Sequence, residues 1–372
     1  MTSLEQKILA CSAELYPDSH QQQELRRLMH RCVDADHLID TAFDEGVAGL
    51  LYKNLTKSDL PDILDKKQVE TLRSLYHGNV VFNLKLIHDF KEILHQLNQK
   101  KIKVVPLKGI ILLKQVYHDI GLRQLTDIDL WILDRDHREI IQTLTDLGYR
   151  GDPAYPGTFR RGRTTIDLHL HILGAERIGA RKFILARGQS HFYTNAQSMD
   201  FEGEEILSLN KYDQVIILSL HALKHNVERI IWIVDIKSLI TGWEKSDWKA
   251  LINRVRYMGQ EKSVSYIFFL IRHMFGFFFP PEVTQALKLG KLPFLERRLL
   301  KKRLKKGSLP VWAALFLFSP DRGLWVRTCS IFETLFPRPE ILRQVFESHR
   351  DLKIRELYLK RVCQLIRMTK KL

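Results

Sequence analysis

The chain has 372 residues, of which 45% are hydrophobic and 27% charged, a balance typical of a globular protein and unlike that of a disordered or fibrous one. Its net charge of +15 predicts attraction to polyanions such as triphosphates, nucleic acid or acidic membrane surfaces. We expect a cytoplasmic protein with no transmembrane segment, because the opening residues lack a signal-peptide pattern, the most apolar stretch is too short for a membrane span, and the four cysteines have no metal or disulfide spacing.

The first hundred residues are predicted to be helical. Apolar residues recur at helical spacing almost throughout 4–97, with a break near 58–62, and the segment 83–99 gives the clearest amphipathic pattern. The pattern then changes to short strands and helices, and it returns to helices near residue 209. We therefore predict an α+β fold in three regions: a helical N-terminal region (1–100), a core with a mixed sheet (101–208) and a helical C-terminal region (209–372).

Lys108 and Gly109 fall at a predicted turn from a strand (102–107) to a helix (110–118). A glycine at such a turn lets backbone N–H groups approach a phosphate, and a helix N-terminus favours negative charge. Lys108 adds a mobile positive charge that suits a triphosphate. The alternative is an ordinary turn with a surface lysine, and for this pair taken alone that alternative is favoured.

Asp127 and Asp129 lie at the beginning of the next predicted strand, 128–133. Side chains two residues apart on a strand point to the same face, so the two carboxylates should project together. Like charges at that distance resist ionisation unless a cation lies between them, and Mg²⁺ prefers carboxylates together with substrate phosphates. The pair therefore predicts metal-assisted phosphate chemistry.

Asp167 supplies a third carboxylate. The segment 164–172 alternates polar and apolar residues, which predicts a half-buried strand with Asp167, His169 and His171 on one face. If this strand pairs beside the Asp127 strand, three carboxylates converge on a site for metal ions, and two such ions about 4 Å apart can clamp an in-line phosphoryl displacement. His169 is placed to orient a carboxylate or to contact phosphate, whereas His171 is interpreted as structural.

The segment 211–241 is predicted to be one helix with a polar stripe. On it, five residues project within roughly 40° of one direction: His221, His225, Glu228, Trp232 and Asp235. One interpretation is a stripe that faces a nucleotide, with Lys224 and Arg229 adding charge for phosphate. The other is a set of buried polar residues that tie the helix to the sheet.

The basic residues are concentrated late in the chain, in 297–306 and 353–371. Such a run is usually the solvated face of a helix, and we favour that interpretation over a polyanion site. Contact of this basic C-terminal region with a polyanion stays open.

The order of these motifs resembles the uncharacterised nucleotidyltransferase family of the polymerase-β-type superfamily. The resemblance rests on Lys108-Gly109, Tyr117, Arg123, Asp127-x-Asp129 and Asp167-Leu168-His169. Further similarity in 35–55, 221–235 and 335–340 extends it over about residues 35–365. One departure is that the usual Gly-Ser of the superfamily is Lys-Gly here, so the phosphate contact of that serine must come from elsewhere.

The resemblance implies a polymerase-β-type nucleotidyltransferase core that holds Mg²⁺ or Mn²⁺. It assigns catalysis and metal binding to Asp127, Asp129 and Asp167. It assigns nucleotide binding to residues of the turn, the loop before Asp127, the third strand and the polar stripe: Lys108, Gly109, Arg123, His169, His221, Lys224 and His225. Arg123, four residues before Asp127, is placed to hydrogen-bond either a phosphate or the loop itself.

The implied function is a transferase that moves a nucleoside monophosphate from an NTP such as ATP to an acceptor hydroxyl or phosphate and releases pyrophosphate. The acceptor is left open among a small molecule, a peptide, a protein and an RNA. Two alternatives remain: a non-catalytic protein that binds nucleotide or nucleic acid on the same scaffold, and a phosphotransferase that uses the same metal site.

Overall fold

The computed structural model describes residues 4–31, 34–56, 63–310, 312–318, 323–346 and 352–370. Cys32 and the predicted break at 58–62 lie outside the described residues. The fold is α+β, as predicted, and its buried apolar residues form a cluster that extends from Ile8 to Phe318. The predicted division into three regions stays a prediction.

The N-terminal part is helical, as its apolar periodicity predicts. The longest helix begins with a capping box, in which the side chains of Asp65 and Gln68 accept each other's backbone N–H groups and so satisfy donors at the exposed helix end. Its buried stripe, which includes Leu86, Phe90 and Ile93, faces the core. The helices are α1 (Leu4–Ser12), α2 (Ser19–Met29), α3 (Ala35–Asp44), α4 (Ala48–Thr56) and α5 (Lys66–Gln99).

The described residues of the middle part form a five-stranded mixed sheet in the order β1-β2-β5-β4-β3, with a separate hairpin of β6 and β7. The strands are β1 (Val105–Leu107), β2 (Ile128–Trp131), β3 (Arg150–Gly151), β4 (Thr158–Arg161), β5 (Thr164–His169), β6 (Gln197–Phe201) and β7 (Glu204–Ser208). Strand β2 runs parallel to β5 and antiparallel to β1. The helices of this part are α6 (Gly109–Gln115), α7 (His137–Asp146) and α8 (Ser190–Tyr193). The strands predicted around the carboxylates are thus confirmed as neighbours.

The C-terminal part returns to helices, as predicted. They are α9 (Lys211–Lys224), α10 (Ile230–Ile240), α11 (Lys245–Met258), α12 (Glu261–Phe275), α13 (Pro281–Ala286), α14 (Phe294–Lys306), α15 (Ala313–Leu317), α16 (Leu324–Leu335), α17 (Pro339–Val345) and α18 (Ile354–Lys370). Within the described residues, every helix is too short or too polar to cross a membrane.

The prediction of one helix over 211–241 is wrong, because the chain breaks between α9 and α10. Asn226 and Val227 have positive φ angles of 55° and 50°, a conformation that ends a helix. Distant residues stabilise the break: Arg303 Nε donates to the Val227 carbonyl at 2.6 Å, and Glu45 Oε2 accepts from the Ile230 N–H at 2.6 Å. The basic run on α14 is therefore not uniformly solvated, since Arg303 is fully buried and pairs with Glu45.

Candidate active site

Three carboxylates meet at one edge of the sheet. Asp129 lies in β2 directly opposite Asp167 in β5, and Asp127 immediately precedes β2. One oxygen of each carboxylate lies within 4.8 Å of the others. The convergence predicted from the two strand patterns is confirmed, and it depends on the parallel pairing that puts residues 129 and 167 in register.

Each carboxylate of this triad has a different environment. Lys108 Nζ donates to Asp129 Oδ1 at 2.6 Å, and His169 Nε2 lies 2.7 Å from the same oxygen. Thr158, on β4, donates its hydroxyl to Asp167 Oδ1 at 2.5 Å. Burial disfavours the charge of Asp129, but Lys108 and His169 outweigh it and hold the pKa of Asp129 well below its usual range. Asp129 therefore stays ionised.

Asp127 carries the unbalanced charge of the triad. Burial and the neighbouring Asp129 carboxylate raise the pKa of Asp127 to about 6, against the smaller opposing effect of Lys108. Three carboxylates this close need more positive charge than the single ammonium of Lys108 supplies. The donor set consists of carboxylate oxygens alone, which are the hard ligands that Mg²⁺ and Mn²⁺ prefer. The residues therefore fit a divalent cation.

The turn before α6 has an unusual backbone at Lys108. This residue has φ 55° and ψ −125°, a conformation that glycine adopts readily and other residues rarely do. Gly109 has an ordinary φ but is tightly packed: a Cβ there would lie 2.5 Å from Leu125 Cδ2 and 2.7 Å from Arg123 Nη1. The strained conformation aims the Lys108 ammonium at Asp129, so the turn holds a positive charge at the triad.

Because the backbone at Lys108 is strained, we expect glycine to give a more stable protein than alanine at this position, which is the reverse of the usual order of stability. The free energy of unfolding of Lys108→Gly should be about 1–2 kcal/mol larger than that of Lys108→Ala. Glycine relieves backbone strain of about 1–3 kcal/mol, and part of this gain is lost because glycine has a greater entropy in the unfolded chain. Both variants remove the same ammonium, so their difference reports the backbone alone. The measurement is denaturant unfolding.

Lys114, exposed within α6, is the matched control for this comparison. There glycine should be less stable than alanine by about 1 kcal/mol. A Lys108→Gly variant that is no more stable than Lys108→Ala would show that the turn is not strained.

Arg123, predicted to bind nucleotide, is engaged by a buried partner. Its Nε and Nη2 donate to the two oxygens of Asp235 at 2.8 and 2.7 Å, and Tyr117 donates its hydroxyl to the same carboxylate at 2.8 Å. The Arg123 side chain is only 6% exposed and that of Asp235 is fully buried. The pair joins the turn region to α10. A nucleotide contact of Arg123 stays a prediction.

The polar stripe of α9 and α10 forms an aromatic cluster despite the break between the helices. The His221 ring lies 4.8 Å from that of His225 and 4.9 Å from that of Trp232, centroid to centroid. Burial by the protein around the cleft, together with the positive charges of Lys224 and Lys108, lowers the pKa of His225 to about 3. The pKa of His221 is also well below its usual range, because of burial and Lys108. Both imidazoles are therefore neutral near pH 7.

Lys224 adds a positive charge that has no carboxylate partner among the described residues. Its side chain is half-buried in the wall of a cleft. Burial and the positive charges of Lys108 and Arg181 lower the pKa of Lys224 to about 7. An anion bound nearby would favour its charged form. Arg229, on the same stretch, already has a hydrogen-bond partner, since its Nη2 donates to Gln124 Oε1 at 2.5 Å.

One cleft of about 850 Å³ contains the whole arrangement. All of the residues that the sequence singles out as catalytic or nucleotide-binding line this cleft. The structure adds residues that sequence reasoning missed, above all Thr158, Arg177, Arg181 and Arg338. Thr158 lies in a four-residue strand, Thr-Phe-Arg-Arg, that does not alternate polar and apolar residues. The arginines are dispersed over more than 150 positions and give no local pattern.

Comparison with known proteins was made once this geometry was established. A family model described as "Uncharacterised nucleotidyltransferase" matches residues 31–276, more than half of the chain. No curated protein matches the chain. The matched range contains the carboxylate triad, the turn and the aromatic cluster, whereas the similarity noted in 335–340 lies beyond it.

Proposed function

The chain belongs to this uncharacterised nucleotidyltransferase family, and on that premise we propose that it is a metal-dependent enzyme that transfers a nucleoside monophosphate from an NTP to an acceptor hydroxyl or phosphate. The observation that carries the proposal is the triad, in which Asp127, Asp129 and Asp167 bring carboxylate oxygens within 4.8 Å of one another. The sequence resemblance and the geometry of these residues point to the same chemistry.

Asp127, Asp129 and Asp167 would hold Mg²⁺ or Mn²⁺. Bound there, the metal would supply positive charge to the phosphate oxygens on which negative charge develops. Asp127 and Asp129, on the β2 side, would anchor the nucleotide through the positive charge of the metal that they hold. Asp167 is oriented by Thr158 and would accept the proton of an acceptor hydroxyl.

The bond changes are those of an in-line displacement at the α-phosphorus. The acceptor oxygen forms a bond to that phosphorus, the bond to the bridging oxygen breaks, and pyrophosphate leaves with the electron pair. Lys108 and Lys224 would attract the triphosphate by charge, and His169 would orient the Asp129 carboxylate. The neutral rings of His221 and His225, with Trp232, offer a stacking surface for a nucleobase.

Labelled nucleotides test the proposal and separate its alternatives. Each NTP is incubated with the protein, Mg²⁺ or Mn²⁺ and cell extract, with the label on the α-phosphate in one series and on the γ-phosphate in the other. Nucleotidyl transfer labels an acceptor from the α-position only. Label from the γ-position alone would assign a phosphotransferase, and binding without transfer would assign a nucleotide-binding protein. ATP is the first nucleotide to test.

Metal and nucleotide should bind together more strongly than separately. Because Asp127, Asp129 and Asp167 offer only carboxylates and Mg²⁺ prefers substrate phosphates as further ligands, we expect NTP plus Mg²⁺ to raise the melting temperature by more than the sum of the two separate shifts. The measurement is thermal unfolding with each addition alone and with both. Shifts that merely add would contradict a shared site.

A further inference from the structure

A second group of positive charges lies in the cleft on the Asp167 side. It consists of Arg177 and Arg181, in the segment that follows β5, and Arg338, immediately before α17. We call these three residues the arginine cluster. The proposed nucleotide site does not use them.

Arg181 is the least satisfied member of the cluster. Its Nη1 donates to the Leu173 carbonyl at 3.3 Å, but its Nε is buried and has no hydrogen-bond partner among the described residues. Burial and the neighbouring Arg177 lower the pKa of Arg181 to about 10. A buried donor without a partner costs about 1–3 kcal/mol, so a retained one suggests that a ligand satisfies it.

Three other arginines with little exposure show what Arg181 lacks. Arg123, Arg254 and Arg303 each form an ion pair with a carboxylate at 2.6–2.8 Å. Over the described part of the chain, no such pair includes Arg181. The nearby carboxylates have other partners: Glu333 Oε2 accepts from the Ala180 N–H at 3.1 Å, and Glu176 Oε1 accepts from the His171 N–H.

Contacts fix the cluster beside the proposed proton acceptor. The Arg177 guanidinium lies 5.8 Å from the ring centroid of Tyr155. The Tyr155 carbonyl accepts from the Thr158 N–H at 2.9 Å, and Thr158 donates its hydroxyl to Asp167. Arg338 Nη2 donates to the Glu176 carbonyl at 2.6 Å and so joins α17 to the same segment. The cluster is therefore linked to Asp167 through Tyr155 and Thr158, whereas Lys108 contacts Asp129 directly.

The cleft extends from the triad to the arginine cluster. Its volume of about 850 Å³ lies near the upper end of the range of about 300–1,000 Å³ that sites for one drug-sized ligand span. Part of its wall, including Arg338, lies beyond residue 276, where the family match ends. Arg177 and Arg181 lie inside the matched range, so the cluster includes residues on both sides of its end.

We propose that Arg177, Arg181 and Arg338 bind an oxyanion of the acceptor, a phosphate or a carboxylate group, and so place its reactive oxygen near Asp167. The inference rests on the proposed function and deepens it by naming the acceptor class. Guanidinium groups match both oxyanions because their N–H donors are arranged as a fork. A neutral acceptor would leave the cluster unpaired in the filled cleft.

Inorganic phosphate and acetate are the probes that test the cluster. Each is titrated calorimetrically into the protein alone and into the protein saturated with Mg²⁺ and an NTP whose α–β bridging oxygen is replaced by a methylene group. We expect one probe to bind in both states. Arg177→Gln and Arg338→Gln should each weaken it about tenfold, while NTP affinity changes by less than about threefold. Tighter phosphate assigns a phosphorylated acceptor, and tighter acetate assigns a carboxylated one.

Arg163→Gln is the matched control. Arg163 is exposed like Arg177 and lies 5.6 Å from the ring of Phe82, but it does not line the cleft. Its replacement should leave both titrations unchanged. Because Arg177 and Arg338 are exposed, their variants should fold as the parent does.

Three results would overturn the inference. If neither probe binds, the cluster holds no ligand of this class. If the nucleotide analogue abolishes binding of the probe, or if the arginine variants weaken NTP binding as much as probe binding, these residues belong to the triphosphate site. Failure of the proposed function looks different, since no acceptor would then be labelled from the α-phosphate of an NTP. The titration into the protein alone still tests the cluster in that case.

Discussion

Asp167→Asn lowers the rate of nucleotidyl transfer by about 10³-fold and changes NTP affinity by less than about tenfold; this is the expected result if Asp167 works on the acceptor. The amide keeps the shape of the side chain but carries no charge and accepts no proton. Asp127 and Asp129 remain to anchor the nucleotide, so binding survives while chemistry fails. Single-turnover transfer of an α-labelled NTP gives the rate, and calorimetry gives the affinity.

Asp134→Asn is the control for this substitution. Asp134 follows β2, the strand that pairs with the Asp167 strand; it is exposed and forms no part of the cleft wall. It should retain the full rate. A rate loss for Asp167→Asn that is matched by an equal loss of NTP affinity would contradict the division of labour, because Asp167 would then belong to the nucleotide side of the triad.

The carboxylate triad could be predicted because its signals are local. Alternation with a period of two residues puts Asp127 and Asp129 on one face of their strand and Asp167 outward on its own. The register between β2 and β5 could not be predicted, since nothing in either strand fixes which residues face each other across a parallel pair. The structure supplies that register as Asp129 opposite Asp167.

The break between α9 and α10 could not be predicted for a related reason. No glycine or proline marks it, and helical periodicity continues through 225–229. Asn226 and Val227 adopt positive φ angles because Arg303 and Glu45, distant in sequence, satisfy the backbone groups that the break exposes. Periodicity detects which residues are buried, but it does not detect a long-range hydrogen bond that ends a helix.

The buried pair of Arg123 and Asp235 gives the largest expected effect on stability. Asp235→Ala should lower the free energy of unfolding by about 3–5 kcal/mol, because it leaves the Arg123 charge in the core without a partner. It should also lower transfer about 10²-fold, since a guanidinium freed beside Gly109 can displace the turn that holds Lys108. Denaturant unfolding and transfer assays at a temperature where the variant is folded measure the two effects.

The pair of Arg254 and Asp213 is the control, with the same two-point geometry at 2.6 and 2.9 Å but a position outside the cleft. Asp213→Ala should destabilise the protein, though less, because the Arg254 side chain is 16% exposed and water can reach it. Its transfer rate per folded molecule should be unchanged. Equal rate losses in both variants would mean that lost stability alone explains the effect.

A double variant decides whether Arg123 binds nucleotide or only supports the turn. Arg123→Met with Asp235→Asn removes both charges and keeps a carbonyl oxygen for the Tyr117 hydroxyl, so most of the lost stability should return. We expect transfer to return to within about tenfold of the parent, because the Arg123 guanidinium is 6% exposed and already engaged at two nitrogens. If stability returns and transfer does not, Arg123 contacts the nucleotide, and its pairing with Asp235 must open when the substrate binds.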